Sequence, residues 1–151
     1  MTRIPMIRHK FDQGIEIYPI SDLHIGSKEF NEGQFQRVSR EILTEPNRYC
    51  VIVGDIVDNG IKSSVTSGYD AVMQPAAQRK YAAEILYPLR DRILCFVSGN
   101  HEARSARESD TDVAELIASK LDLEHLFKPD IAFLDISCGK RPHRGVRPPR
   151  Y

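Results

Sequence analysis

The sequence predicts an α/β fold, a layered and largely parallel sheet with flanking helices. Short apolar runs alternate along the chain with stretches that have the period of a helix. Three of the runs, at residues 15–20, 49–53 and 92–97, are too short for helices and end in polar loops. Strands that alternate with helices are joined by right-handed crossovers, which make neighbouring strands parallel.

The composition is that of an ordinary globular domain. The 151 residues are 41% hydrophobic and 28% charged, which is enough for one core. Because 21 basic residues balance 21 acidic ones, the net charge does not support a nucleic-acid partner, although a local patch could still bind one. The chain start lacks the apolar stretch of a signal peptide, and no run is long enough to span a bilayer. We therefore expect a cytoplasmic protein without membrane contact, of open oligomeric state.

The three cysteines, Cys50, Cys95 and Cys138, predict reduced and buried thiols. They are odd in number and far apart, and two of them lie within apolar strand runs. A zinc site or a disulfide framework would favour closely spaced cysteine pairs.

The start of the chain predicts a hairpin or two adjacent short strands. Residues 4–9 and 15–20 flank the turn signal at 12–14. Pro19 lies near the end of the second run, where the missing N–H costs little on an edge strand.

Three helices and a further strand are predicted from apolar spacing. The first helix begins after Asn31, which forms a pair like a capping box with Gln34, and the third is expected to be capped by Asp110 or Thr111. A polar, charged segment at 101–108 precedes the third helix, and residues 131–136 predict another strand. The apolar stripes are Phe35, Val38, Ile42 and Leu43; Met73, Ala77, Tyr81, Ile85 and Leu86; and Val113, Leu116, Ile117 and Leu121.

Two polar stretches stand outside this pattern. Residues 61–69 form a loop that either contacts substrate or is a plain connector. Residues 140–151 are rich in proline and arginine and have no apolar period. We interpret them as an incomplete connector after a domain at 1–139, with a basic anion-binding arm as the alternative.

Each of the three strands ends in side chains that can bind a metal. The residues are Asp22 and His24, Asp55 and Asp58, and Asn100 and His101. The carboxyl ends of parallel strands share one edge of a sheet, so these residues are expected to meet. Taken singly, Asp-x-His and Gly-Asn-His are often only turn residues, and the specific signal is the ordered trio.

This ligand set predicts a metal and a type of reaction. Carboxylate oxygens with imidazole suit Mn, Fe or Zn, whereas calcium prefers oxygens alone. A carboxylate can bridge two cations, and two cations about 3.5–4 Å apart can activate water and hold a phosphate. That is the chemistry of phosphate-ester hydrolysis.

The three loops resemble the signature of calcineurin-like metallophosphoesterases. Residues 22–24, 54–60 and 99–102 are similar to D-x-H, G-D-x-x-D-x-G and G-N-H-[ED] in that order. The resemblance covers residues 15–102. It implies a metallo-dependent phosphatase-like fold and hydrolysis of phosphomonoesters or phosphodiesters at a dinuclear metal centre.

The resemblance also implies a role for each metal-binding residue. Asp22 and His24 resemble ligands of a first ion, Asp55 a bridging carboxylate, and Asn100 a ligand of a second ion. The cofactors expected are two divalent ions, Mn, Fe or Zn, with Mn favoured.

The same resemblance implies the catalytic residues. His101 resembles the histidine near the scissile oxygen, acting as general acid or as phosphate contact, with Asp58 paired to its ring. A carboxylate beside an imidazole favours the protonated ring that donates a proton. Asn59 is a predicted substrate-binding residue, although the family's protein Ser/Thr phosphatases have arginine there. Glu102 is expected to be structural.

The chain departs from the family in its second half. The family completes its metal shells with further histidines, including a G-H-x-H element, but only His125 and His143 follow His101 here. His125 is expected to lie on the surface. The sequence therefore resembles the N-terminal portion of the domain, truncated before its C-terminal half. The alternative function is a catalytically incomplete fragment or pseudoenzyme that binds metal or a partner protein.

Overall fold

The computed structural model describes residues 6–59, 73–140 and 150–151. The predicted loop at 61–69 and most of the predicted connector lie outside these residues. The strands are β1 (Met6–Phe11), β2 (Glu16–Ile20), β3 (Arg48–Val53), β4 (Ile93–Val97), β5 (Phe127–Lys128) and β6 (Phe133–Cys138). The helices are α1 (Glu32–Thr44), α2 (Pro75–Leu86), α3 (Asn100–Ser109) and α4 (Val113–Lys120), with 3-10 segments at Tyr87–Arg92 and Glu124–Leu126.

Two parallel sheets form the centre of the fold, which confirms the predicted α/β class. One sheet has the strand order β2-β3-β4-β5, and the other pairs β1 with β6. Leu94 of β4 packs against Ile136 and Cys138 of β6, so the sheets lie face to face. Strand β4 is the most apolar strand of the first sheet, and its residues from Ile93 to Phe96 are all buried.

The start of the chain forms two short strands, in agreement with one of the two predicted alternatives, and the predicted hairpin is wrong. Strands β1 and β2 belong to different sheets, and β1 pairs in parallel with β6 from Met6 opposite Phe133 to Phe11 opposite Cys138. The turn signal at 12–14 is real, but it redirects the chain from one sheet to the other. Each strand finds its partner at long range, where tertiary packing outweighs local turn preference.

The position of Pro19 agrees with an edge strand. Glu16 donates its N–H to Asn47, and Asp22 donates its N–H to Gly54. Because alternate residues of a strand face opposite neighbours, the nitrogen of Pro19 faces away from β3. No ladder hydrogen bond is lost there.

Helices cover the face of the larger sheet that β1 and β6 leave free. Phe35 and Ile42 of α1 are buried as predicted, and Asn31 caps the helix by accepting the Gln34 N–H at 3.0 Å. Leu43 and Leu116 belong to the predicted apolar stripes of α1 and α4 and were expected to be buried. They are 41% and 40% exposed. They lie at the margins of their stripes.

The predicted apolar stripe of α2 is confirmed in part, because Leu86 is fully buried and Tyr81 and Ile85 pack partly buried against the core. The buried residues are Gln78, Ala82, Ala83 and Leu86, while Ala77 is exposed. The buried face also includes the Gln78 amide, whose oxygen accepts the N–H of Asn59 in the loop after β3 at 2.8 Å. One polar side chain therefore lies within the face of α2 that packs on the core.

The polar segment after β4 is itself a helix, α3, and this changes the cap of the next helix. Asp110 has a φ of 52° and ends α3 in the left-handed conformation. Helix α4 is capped by Asp112, which accepts the N–H groups of Ala114 and Glu115, and not by Asp110 or Thr111.

The chain ends on the smaller sheet. The strand predicted at 131–136 lies at Phe133–Cys138, and Tyr151 exchanges two backbone hydrogen bonds with Ile136, at 3.0 and 2.9 Å. The two-residue strand β5 is too short to show a period.

His125 is exposed, in agreement with the prediction.

The three cysteines are free and buried, as predicted. Burial raises the pKa of Cys50 to about 12 and also raises the pKa of Cys95. Among the described helices, none combines the length and the apolar character that a membrane span requires.

Candidate metal centre

The loops after β2 and β3 are joined by backbone hydrogen bonds that continue the strand pairing. His24 donates its N–H to Asp55 at 3.0 Å, and Ile25 donates to Ile56 at 2.9 Å. Asp58 closes the ladder by donating to Ile25 at 3.0 Å. The two loops therefore run side by side, and their polar side chains share one space.

Four predicted site residues have left-handed backbone conformations. The φ angles are 53° at Asp22, 48° at His24, 50° at Asp55 and 46° at Asn59. Asp, Asn and His tolerate this region better than other side chains, yet each such residue still costs about 1–3 kcal/mol. The turns allow polar residues to alternate with the fully buried Ile25, Ile56 and Val57. Surrounding hydrogen bonds must therefore stabilise these left-handed conformations.

Two glycines let the loop after β3 touch the loop after β4. Gly54 has a φ of 75°, and a Cβ there would overlap the backbone of Gly99. A Cβ on Gly99 would in turn overlap Asp55. Both positions require glycine because the backbones are in contact.

The side chains form two clusters that share His24. In the first, the ligand atoms of Asp22, His24 and Asp55 all lie within 4.8 Å of one another. In the second, His24, Asp58 and His101 satisfy the same limit. The structure thus brings together the five candidate residues with carboxylate or imidazole groups.

Asn100 occupies the first turn of α3 and is exposed. Both of its neighbours touch Asp55: the backbone of Gly99 packs against it, and the N–H of His101 donates to Asp55 Oδ1 at 2.9 Å. Asn100 therefore lies at the Asp55 side of the site.

The His101 ring is held by a backbone carbonyl. Its Nδ1 lies 2.6 Å from the carbonyl oxygen of Asp58 and 3.9 Å from the Asp58 carboxylate. The predicted pairing with Asp58 therefore runs through the main chain. Because a carbonyl only accepts, Nδ1 carries a proton, which leaves Nε2 as the acceptor nitrogen of the neutral ring. The rings of His24 and His101 meet edge to face, with centroids 4.5 Å apart.

Glu102 connects the loops beneath the site and is structural, as expected. Its side chain is fully buried. Oε2 accepts the N–H groups of Asp55 at 3.0 Å and Gly99 at 2.9 Å, and Oε1 accepts that of Val57 at 3.0 Å. A buried carboxylate with three backbone donors fixes the relative position of β3 and α3.

Asn59, the predicted substrate contact, is buried. It is 2% exposed, and its side-chain amide donates to the carbonyl of His101 at 2.7 Å and to Ser105 Oγ at 2.8 Å. Its backbone N–H donates to the buried Gln78 at 2.8 Å. Both amide hydrogens are thus used to hold α3.

Two residues near the site were missed by sequence reasoning. Gln78 was overlooked because it falls between apolar residues of α2, although a glutamine in that phase was a usable signal. Arg104 was overlooked because it lies outside the three motifs. Its Nη2 is 3.4 Å from His101 Nε2.

The family comparison agrees with this geometry. Residues 15–141 match the model of the calcineurin-like phosphoesterase family. The chain therefore belongs to that family, and the resemblance carried by the three loops is confirmed.

A curated relative comes from a DNA polymerase. The DNA polymerase II small subunit of Thermoplasma acidophilum is 28% identical over 127 residues. The match covers 80% of this chain and 25% of the relative, so the chain spans about a quarter of that protein's length.

Proposed function

We propose that this protein hydrolyses phosphate esters, either monoesters or diesters, at a dinuclear metal centre. The observation that carries the proposal is the convergence of Asp22, His24 and Asp55, whose ligand atoms lie within 4.8 Å of one another. Family membership supports it, since three loops that match the family's signature supply the converging groups.

The donor set fits divalent cations such as Mn, Fe or Zn, of which we favour Mn. Asp22 and His24 would hold one ion, Asn100 a second, and Asp55 both. When bound, such ions polarise the phosphate and make a water molecule nucleophilic at neutral pH. The carboxylate of Asp55 is well oriented for this role, because the N–H of His101 fixes one of its oxygens at 2.9 Å.

His101 would act on the leaving group. Its Nδ1 is fixed by the Asp58 carbonyl at 2.6 Å, which leaves Nε2 for the substrate. A protonated Nε2 can donate to the departing oxygen, or contact a phosphate oxygen. Asp58, 13% exposed and 3.9 Å from the ring, would stabilise the positive charge of that form.

A chromogenic assay tests this proposal. The Mn(II)-loaded protein should hydrolyse p-nitrophenyl phosphate or bis(p-nitrophenyl) phosphate, and Asp55→Asn should fall to the rate of free Mn(II). Asp135→Asn is the matched control, since Asp135 lies on β6 and pairs with Arg8. Equal rates in wild type and Asp55→Asn would contradict the proposal.

A second candidate is a non-hydrolytic subunit that binds metal or a partner. The observation in its favour is the similarity to a DNA polymerase II small subunit. Saturable Mn(II) binding without turnover of either chromogenic ester would favour this candidate. A protein or nucleic-acid partner would then be sought by co-purification. For either candidate function, the compartment that we propose is the cytoplasm.

A further inference from the structure

Arg104 places a guanidinium group at the edge of the candidate metal centre. It lies on α3, three residues after His101 and four after Asn100, and such residues share one face of a helix. Its side chain is half-buried, and Nη2 lies 3.4 Å from His101 Nε2. The helix thus carries a cation beside the histidine.

The contact has a defined polarity. Because His101 Nδ1 donates to the Asp58 carbonyl at 2.6 Å, the neutral ring turns an unprotonated Nε2 toward Arg104. The distance of 3.4 Å is long for a charge-assisted hydrogen bond, so the histidine is a weak partner for the guanidinium. A phosphate oxygen would be a stronger partner for the same donor.

The charge of the site also favours such a role. Asp22, Asp55 and Asp58 contribute three carboxylates to the two clusters. Three negative charges offset most of the charge of two divalent cations, which weakens the attraction for an anionic substrate. A half-buried guanidinium beside His101 restores that attraction, and its planar fork matches the geometry of phosphate.

We propose that Arg104 binds the phosphoryl group of the substrate, next to His101. The inference rests on the proposed function, and adds a residue that none of the three motifs contains. The planar fork donates two hydrogen bonds to nonbridging oxygens and leaves the ester oxygen to His101.

The test compares three variants of the Mn(II)-loaded protein. Arg104→Ala should lower kcat/KM for the chromogenic ester by about 10- to 100-fold and weaken inorganic phosphate binding similarly. Arg104→Lys should recover part of both, since it keeps the charge and loses the fork. Arg90→Ala is the matched control and should leave both unchanged, because Arg90 lies before β4, against Tyr87 and Asp91.

Two readouts separate this inference from the proposed function. Phosphate binding is measured by calorimetry, and melting temperature confirms folding of each variant. An active wild type with Arg104→Ala equal to Arg90→Ala would overturn the inference alone. Arg104-dependent phosphate binding without turnover would support the inference and overturn the proposed hydrolysis. A wild type that neither binds phosphate nor turns over would overturn both.

Discussion

Helices α3 and α4 follow each other in the chain, but they are fixed to the molecule in opposite ways. Helix α4 is fixed by apolar burial of Val113, Ala114, Ile117 and Ala118. Of the α3 side chains that the structure describes, only Glu102 is buried. Helix α3 is instead held by hydrogen bonds to the loop after β3, through Glu102 and through the side chain of Asn59.

The comparison shows that scaffold and site have separate supports. Burial of the apolar side chains of α4 stabilises the fold whatever the exact orientation of their contacts, since apolar packing is not directional. Polar bonds to α3 set the distance and angle between His101 and Asp55, because hydrogen bonds are directional. Stability and site chemistry should therefore respond differently to mutations in the two helices.

Among substitutions in α3 and α4, His101→Ala should have the largest effect on activity. Removing the ring should slow turnover by roughly 10²–10⁴-fold while Mn(II) remains bound, because the metal-holding carboxylates stay in place. His125→Ala is the control, since His125 is exposed on a 3-10 segment. Steady-state kinetics and Mn(II) calorimetry measure the two properties, and full activity of His101→Ala would contradict the assignment.

Glu102→Ala should lower both the stability of the protein and the metal affinity of the site. It leaves the N–H groups of Asp55, Val57 and Gly99 without their acceptor. A buried donor without an acceptor costs about 1–3 kcal/mol, so we expect the free energy of unfolding to fall by about 3 kcal/mol or more and Mn(II) affinity to fall with it. Urea denaturation gives the first value. A loss below about 1 kcal/mol would show that other partners replace the carboxylate.

Ile117→Ala should destabilise the protein without altering the site. Ile117 is fully buried in the core, and such a truncation costs about 2–5 kcal/mol. Leu116→Ala, on the same helix but 40% exposed, should cost far less. At temperatures where both remain folded, Mn(II) affinity should equal that of the wild type. A weaker affinity in Ile117→Ala would mean that α4 also positions the site.

Asp112→Ala should have the smallest effect. Asp112 caps α4 and accepts the hydroxyl of Ser98, next to the glycine at the site. Loss of the cap should lower the free energy of unfolding by about 1 kcal/mol. Asp112→Asn keeps an acceptor for the helix N–H groups and should lose less. Equal losses in both variants would assign the effect to charge and not to the cap.

The sequence predicted the elements whose signals are local. The Asn31 cap, the apolar run of β4 and the polar residues after each strand follow from neighbouring residues alone. Pairing of β1 with β6 could not be predicted, because a parallel partner over 100 residues away leaves no local trace. Helix α3 was missed because it has no apolar stripe, and its folding depends on acceptors in the loop after β3.

The site was predicted in its residues but not in its supports. The motifs contain the five converging side chains, whereas the inward amide of Gln78 and the Asp58 carbonyl beside His101 depend on the folded backbone. Asn59 shows the limit most clearly. Its place in the motif suggested a substrate contact, and the fold uses its amide to anchor α3.

Calorimetric titration with Mn(II) of the wild type and of Asp55→Ala tests most directly whether the three loop ends bind metal. Asp55 contacts the loops of the other two strands through its carbonyl and through Oδ1. We predict saturable binding by the wild type and none by Asp55→Ala, with Asp135→Ala binding as the wild type does. Unchanged affinity in Asp55→Ala would contradict the account.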